Sequence, residues 1–524
     1  MKKTRKKLLA GLVATFALAL SVGFSACDFS EFLPEEEGNS NAITTEFNFK
    51  LNGDTYSIAG RGTDVDGILE FPSEFEGKPV TAIEPNAFAG DIKLGRIIVP
   101  DSIKTIGEGA FSSCTKLTQA FLGNGVETIE KNAFFKCFAM NKLDMPEALV
   151  TIGESAFEGC AKIKTLELPD GLVTISDRAF YDCNWIETVT FGRYLALIGN
   201  EAFRACKSLK EVVIPDGAPT VIGNSAFTPA PEVSSNNRLN MKLSYVELGN
   251  SVRSVGNNAF ASCVYIREIV LGDNLEDIGA KAFYNCRRVA KMTIGTRLPT
   301  IGTDAFGNLY VLREVADYSG RASSLFPNVW YVRKAGQETR VFFDDATGLI
   351  FYVGPVPVSS SRTENGAAVI AVSLDDPANI VVPEIYNGQP VIMIAERALY
   401  NEEFVNKLDT GDSCKYIGAQ VAQNAYSLIE VKLGASVKTI ADSAFMNTLN
   451  LTKVYFYCGT NLTSVGSKAF YKKRNSAGIV ETNYTNIYFK GTESEWDTVK
   501  TLIKNAGSND DLFTGKVEYV TGRQ

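Results

Sequence analysis

The dipeptide Ala-Phe returns along this chain at an almost fixed interval. Its phenylalanines are Phe88, Phe111, Phe134, Phe157, Phe180 and Phe203, each 23 residues after the last, and Phe227, Phe260, Phe283 and Phe306 continue the series. A fixed period of this length is the mark of a stacked-repeat solenoid. So short a unit cannot bury its own apolar side, and neighbouring units must share one continuous core. A solenoid also presents a long surface, which points to recognition before catalysis.

Residues 152–174, IGESAFEGCAKIKTLELPDGLVT, show the unit best. Ile163, Leu166 and Leu168 form the pattern L-x-x-L-x-L, and the alternation at Leu166 and Leu168 predicts a short strand with one buried face. Pro169-Asp170-Gly171 breaks that strand with turn chemistry. Val173 and Ile175 begin a return side, Gly153 marks a bend, and Ala156, Phe157 and Cys160 point inward from a short helical turn. Leu94/Ile97/Val99, Leu117/Ala120/Leu122 and Leu209/Val212/Ile214 repeat the strand core. The predicted fold is an α/β repeat solenoid, β-rich, of about 23 residues per unit with short helical turns. Its strands stack about 4.8 Å apart into one parallel sheet.

The array breaks and starts again. After Phe306 the next in-register positions are Leu399, Ala422, Phe445 and Phe470, so the register Phe is lost twice. IVVPEIYNGQPVIMIAERAL before Leu399 echoes LEFPSEFEGKPVTAIEPNAF before Phe88, and both read as initiating units. A first block of ten units then spans 46–316, a junction 317–379, and a second block of four units 380–490. Residues 491–524 read as a cap. Thr492 and Glu495 have capping-box spacing, Gly507 suits the stop, and Trp496, Val499 and Ile503 share a helical face.

Residues 1–26 read as a targeting segment, with basic MKKTRKK followed by apolar LLAGLVATFALAL. Phe24-Ser25-Ala26-Cys27 looks like a bacterial lipobox, which makes Cys27 the lipidated first residue of the mature chain; an ordinary secretory peptide with an incidental Cys is the alternative. The acidic stretch 27–45 reads as a flexible spacer. Removal of five basic residues with the targeting segment leaves 47 basic against 60 acidic side chains, net −13. Such a surface repels nucleic acid, so no nucleic-acid partner is expected. It is not drawn to anionic lipid either, which leaves the lipid on Cys27 as the membrane attachment. The chain holds no histidine, which removes Ser-His-Asp and Cys-His catalysis and the HExxH zinc motif. No phosphate-binding or dinucleotide-binding glycine motif is present, and no cofactor is expected.

Cys114, Cys137, Cys160, Cys183, Cys206, Cys263 and Cys286 each follow a register Phe by three residues, so they form a column. Adjacent rungs fall within disulfide reach. Parallel stacking, however, points the side chains the same way, and a column cannot converge four thiolates on zinc. A reduced, buried ladder is therefore preferred, with no metal site. Cys414 and Cys458 lie off the column. The interval from Phe227 to Phe260 is 33, and the surplus falls in TPAPEVSSNNRLNMK. This is a loop extruded from one rim, centred on 229–238, either a binding element or a neutral insertion.

The outward strand positions form two ladders across the sheet. Arg96, Phe121, Lys142, Tyr245 and Glu268 on them are the candidate partner-binding residues. The competing reading is simple β-propensity, since aromatic and β-branched residues suit strands anyway.

The unit LxxLxLPxxLxxIxxxAFxxC, as in Ile163–Cys183, resembles the BspA-like (Treponema-type) bacterial leucine-rich repeat over about residues 65–316 and 380–490. YFKGTESEW resembles the closing segment of such proteins from gut Firmicutes. The resemblance implies a right-handed superhelix with a concave parallel sheet, exported and facing the cell exterior. It also implies adhesion to host matrix proteins or to other bacteria, and it brings no catalytic residue. The expected function is that of a cell-surface-anchored binding protein, acting by adhesion or self-association through the concave face on a protein or glycan partner. A glycan- or solute-capturing lipoprotein is the alternative, which clustered exposed aromatics with neighbouring carboxamides would favour. A carboxylate-dependent hydrolase would need two acids projecting into one cleft, and the sequence identifies none.

Overall fold

The computed structural model describes residues 47–61, 67–230, 242–297, 299–320, 322–372, 378–472 and 484–523. Cys27, the acidic spacer and positions 231–238 of the extruded loop lie outside the described residues.

Each repeat forms one rung with three sides. The L-x-x-L-x-L strands pair in parallel, one rung at a time: Arg96 beside Gln119 beside Lys142, and Glu211 beside Tyr245 beside Glu268 beside Lys291. Leu166, Val212 and Ile269 face inward as their alternation requires. The pairing lapses twice, so this side is made of four-, two- and six-stranded sheets rather than one.

The return side is the more continuous one. It forms a thirteen-stranded sheet in which two-residue strands such as Thr128–Ile129, Thr151–Ile152 and Thr174–Ile175 stack in parallel. Ile is fully buried at each of these rungs and the β-branched Thr faces out. The solenoid therefore has two sheets where the sequence pattern predicted one.

The third side corrects the expected helical turn. Residues two before and two after the register Phe take left-handed backbone: Asn132 and Lys136, Ser155 and Gly159, Arg178 and Asp182. Left-handed residues cannot continue an α-helix. Instead the N–H groups of Asn132, Phe134 and Lys136 donate to the carbonyls of Glu154, Ala156 and Glu158 in the next rung, at 2.9, 2.7 and 2.7 Å. The pattern repeats along both blocks, so this side aims its N–H groups toward the following rung. Gly153 serves a close approach rather than a left-handed bend: a Cβ there would lie 2.6 Å from the Glu130 carbonyl carbon.

Inside, the register phenylalanines form one ring stack. Phe134, Phe157 and Phe180 are fully buried with centroids 5.2 Å apart and planes within 5°. Beside them runs the cysteine column, buried and free of disulfides. Each thiol donates to the carbonyl of the register Phe one rung earlier, as Cys160 does to Phe134 at 3.2 Å and Cys183 to Phe157 at 3.2 Å. The column thus has a hydrogen-bonding role as well as a packing one. Off the column, Cys414 and Cys458 pack into the second core.

Both blocks open alike. Glu74–Phe75 folds back on Lys78–Pro79, and Ile385–Tyr386 on Gln389–Pro390. Each return sheet begins with an antiparallel hairpin, Phe47–Asn52 with Thr55–Arg61, and Leu349–Ser359 with Arg362–Val372. The first ladder side runs past 316 to a strand at Tyr331–Arg333, and the second return sheet starts at Val341. No strand pairs the two blocks among the described residues. Their contact is a third core, where Ile350, Tyr352, Ala368 and Ile370 of the hairpin pack against Ala290 and Val311. A buried Arg288–Glu402 ion pair, 2.5 Å, flanks it.

The last rung is closed by the cap. Helix Glu493–Asn505 has the full Thr492/Glu495 capping box and buries Trp496, Val499 and Ile503. Beyond it, Gly507 O, Asn509 Oδ1 and Asp511 Oδ2 receive the final N–H groups of Lys468, Phe470 and Lys472, at 3.1, 3.0 and 2.9 Å.

Two outcomes follow from this core. Phe157→Ala removes a ring stacked on both sides and should destabilise the chain by about 3–5 kcal/mol in a denaturant melt; a loss under about 1 kcal/mol would mean the ring contributes no core packing. Burial holds the Cys160 and Cys183 thiols above the ordinary range. Their folded pKa is raised, so this stability is present below the unfolded thiol value of about 8.5 and is lost as pH rises above it. Urea melts between about pH 7 and pH 10 should show a steeper fall for the parent than for Cys160→Ala/Cys183→Ala.

Candidate functional site

The outward positions of the ladder side form an ordered display along the first block. They are most open in the middle, where Lys142, Asp144, Thr165, Glu167, Thr188, Thr190, Glu211 and Val213 are exposed. The flanking rungs are half-buried, at Arg96, Ile98, Gln119 and Phe121 on one side and at Tyr245, Glu247, Glu268 and Val270 on the other.

At the N-terminal end the structure brings Arg96, Phe121 and Lys142 together. The Phe121 ring is flanked on the neighbouring rungs, with the Lys142 ammonium 4.7 Å from its centroid and the Arg96 guanidinium 6.0 Å away. Two cations on one ring fix its orientation and leave a basic, aromatic knob.

Tyr245 and Glu268 sit in a second, separate cluster. From Phe121 to the Tyr245 rung is five steps, about 24 Å at the parallel-strand spacing. The Tyr245 hydroxyl donates to Glu247 Oε2 at 2.5 Å. Burial first, then the Glu247 carboxylate, pushes its phenol up. Glu268 is not a free acid, because Lys291 pairs with it at 2.9 Å. Both residues are half-buried, and the ladder closes further downstream. Fully buried Glu314 continues the same ladder and is claimed by Arg333 Nε (2.9 Å), Thr339 Oγ1 (3.0 Å) and the Arg340 N–H (2.6 Å). The chain from Tyr331 to Val341 thus covers the last rungs of the ladder.

A third cluster escaped the sequence reading. Tyr455 stacks on Tyr488 at 4.3 Å and lies 5.7 Å from Tyr457, on the second block's ladder side. The signal was present as Tyr455-Phe456-Tyr457 and Tyr488-Phe489, one rung apart. Tyr455 and Tyr457 are nevertheless buried. The Arg523 guanidinium lies 5.6 Å over Tyr457 and pairs with Asp409 and Asp412. Burial, with the Glu430 carboxylate behind it, pushes the Tyr455 phenol up to about 12.

Among the described residues, no group of three or more Cys, Asp or Glu side chains could hold a metal ion.

The repeat geometry has a counterpart among known families. The family described as "BspA type Leucine rich repeat region" matches residues 81–210, 127–237, 232–320 and 380–487. The chain belongs to this family. The BspA-type match covers both blocks and agrees with the resemblance read from Ile163–Cys183. No curated protein sequence matches the chain at a significant level. Among solved structures it is similar to a leucine-rich repeat protein of Bacteroides ovatus, 20% identical over 91% of this chain and 98% of that one, TM-score 0.43. It is also similar to the leucine-rich repeat protein of T. pallidum, 23% identical over 46% of this chain and 87% of that one, TM-score 0.29. A third is a leucine-rich cell surface protein of Faecalibacterium prausnitzii, 17% identical over 88% and 98%, TM-score 0.30.

Proposed function

We propose that this BspA-type protein is a surface-anchored binding protein that engages a macromolecular partner through the ladder side of its first block. The observation that carries the reading is the run of exposed outward positions from Lys142 to Val213, bounded by the held aromatic groups Phe121 and Tyr245. Repeat solenoids use such extended faces for binding. Ordered aromatic side chains supply much of the energy of an interface at little entropic cost. The partner would be a protein or glycan on host or bacterial surfaces, or a second copy of the chain. Attachment to the bacterial membrane, facing outward, rests on lipidation of Cys27 and on the targeting sequence before it. The glycan-capturing alternative stands second, because the clustered tyrosines it would use, Tyr455 and Tyr457, are buried.

The mature chain should capture its partner from host matrix, mucin or bacterial extracts. Phe121→Ser and Tyr245→Ser should each weaken that binding by about 1 kcal/mol or more with the fold intact. Deletion of 229–238 is the paired control. If the deletion abolishes binding while both aromatic variants bind normally, the rim is the site and the ladder side is scaffold. Separately, Cys27→Ala should release the protein from the membrane fraction; full retention would refute the lipid anchor.

A further inference from the structure

The two blocks line an open cavity of about 750 Å³ where the first stack ends against the side of the second. That volume suits a drug-sized molecule, and junctions between structural units are a common place for such sites. Its walls mix polar and apolar groups, with Tyr310, Phe326 and Trp330 supplying an aromatic part.

Arg313 lines the cavity and is buried. Its Nη1 donates to the carbonyls of Tyr310 and Leu312 at 3.0 and 3.1 Å, and its Nη2 to that of Glu396 at 3.1 Å. Its Nε has no partner, and its guanidinium lies 4.9 Å over Trp330. The three acceptors are neutral carbonyls, so no carboxylate is hydrogen-bonded to this buried cation. Burial lowers its pKa to about 10, and the nearby Glu396 carboxylate offsets this only in part. Arg397 adds a second guanidinium to the wall, against the single carboxylate of Glu396.

The backbone supplies an independent observation. In every earlier rung of the first block the N–H group at the register Phe is aimed at the next rung, and so is the one two residues beyond it except at Pro229, which has none. In the last rung these belong to Phe306 and Asn308, which line the cavity, and they donate to nothing among the described residues. Between them the Gly307 N–H turns back to the Asp304 carbonyl at 2.9 Å, so the two outward N–H groups alternate with one that is satisfied within the rung. At the far end of the second block the same donors are satisfied by Gly507, Asn509 and the carboxylate of Asp511. The protein thus shows what those donors take: oxygen acceptors, one of them a carboxylate.

We infer that the inter-block cavity binds a small carboxylic acid with an apolar body, its carboxylate at the Phe306–Asn308 N–H groups and Arg313, its body on the aromatic wall. This site is independent of the ladder side and of any partner there.

Calorimetric titration of the mature chain with decanoate, 1-decanol and decyltrimethylammonium tests it. Decanoate should bind one-to-one, about tenfold or more tighter than either counterpart, and raise the melting temperature with concentration. Leu309→Trp narrows the cavity from its apolar wall and should cost about tenfold or more in decanoate affinity while circular dichroism and melting stay unchanged. Arg397→Gln should weaken decanoate but not decanol. Phe121→Ser should leave decanoate binding intact, which separates this site from the ladder. Equal binding of all three probes, parental affinity in a folded Leu309→Trp variant, or no decanoate binding up to about 1 mM would each overturn the inference.

Discussion

Each side of the coil hydrogen-bonds from rung to rung, with two lapses on the first block's ladder side. On the third side the N–H groups that cross between rungs all point forward, and the carbonyls that receive them point back. This polarity makes a stack of rungs resemble a helix in one respect: its interior satisfies itself, and only its ends carry unpaired groups. The rest of the architecture answers to that constraint. An antiparallel hairpin begins each return sheet, and a helix with three oxygen acceptors after it closes the last rung. The first block's far end meets neither solution, and the cavity lies there.

What the sequence made legible was whatever repeats as side-chain type. Phe157, Cys160, Leu166 and Ile175 are buried where the 23-residue frame puts them, because burial selects the same residue class at each rung. The third side was misread for the opposite reason. Its left-handed positions are filled by Asn132 and Lys136, then Ser155 and Gly159, then Arg178 and Asp182, which share no chemistry. The hairpin Leu349–Val372 was illegible as repeat because the buried parts of its two strands read as apolar runs rather than as alternation, with the polar stretch 359–365 between them.

The candidate site divides along the same line. The Arg96–Phe121–Lys142 grouping follows from one-rung adjacency alone, so the ladders drawn from sequence contained it. The covering of Glu314 was not in them, because the segment that claims it comes from beyond the first block's repeats. The tyrosine stack at Tyr455 and Tyr488 obeys the same adjacency rule and lay in the block whose ladder the sequence reading had not traced.

The five-rung gap between Phe121 and Tyr245 makes the solenoid a ruler. Its graduation is one strand spacing, about 4.8 Å. Inserting or deleting a whole unit between them would shift their separation by one graduation, and each cluster would keep its own immediate neighbours. Reach along this surface can therefore be retuned by gene-level duplication of a unit, without redesigning either contact.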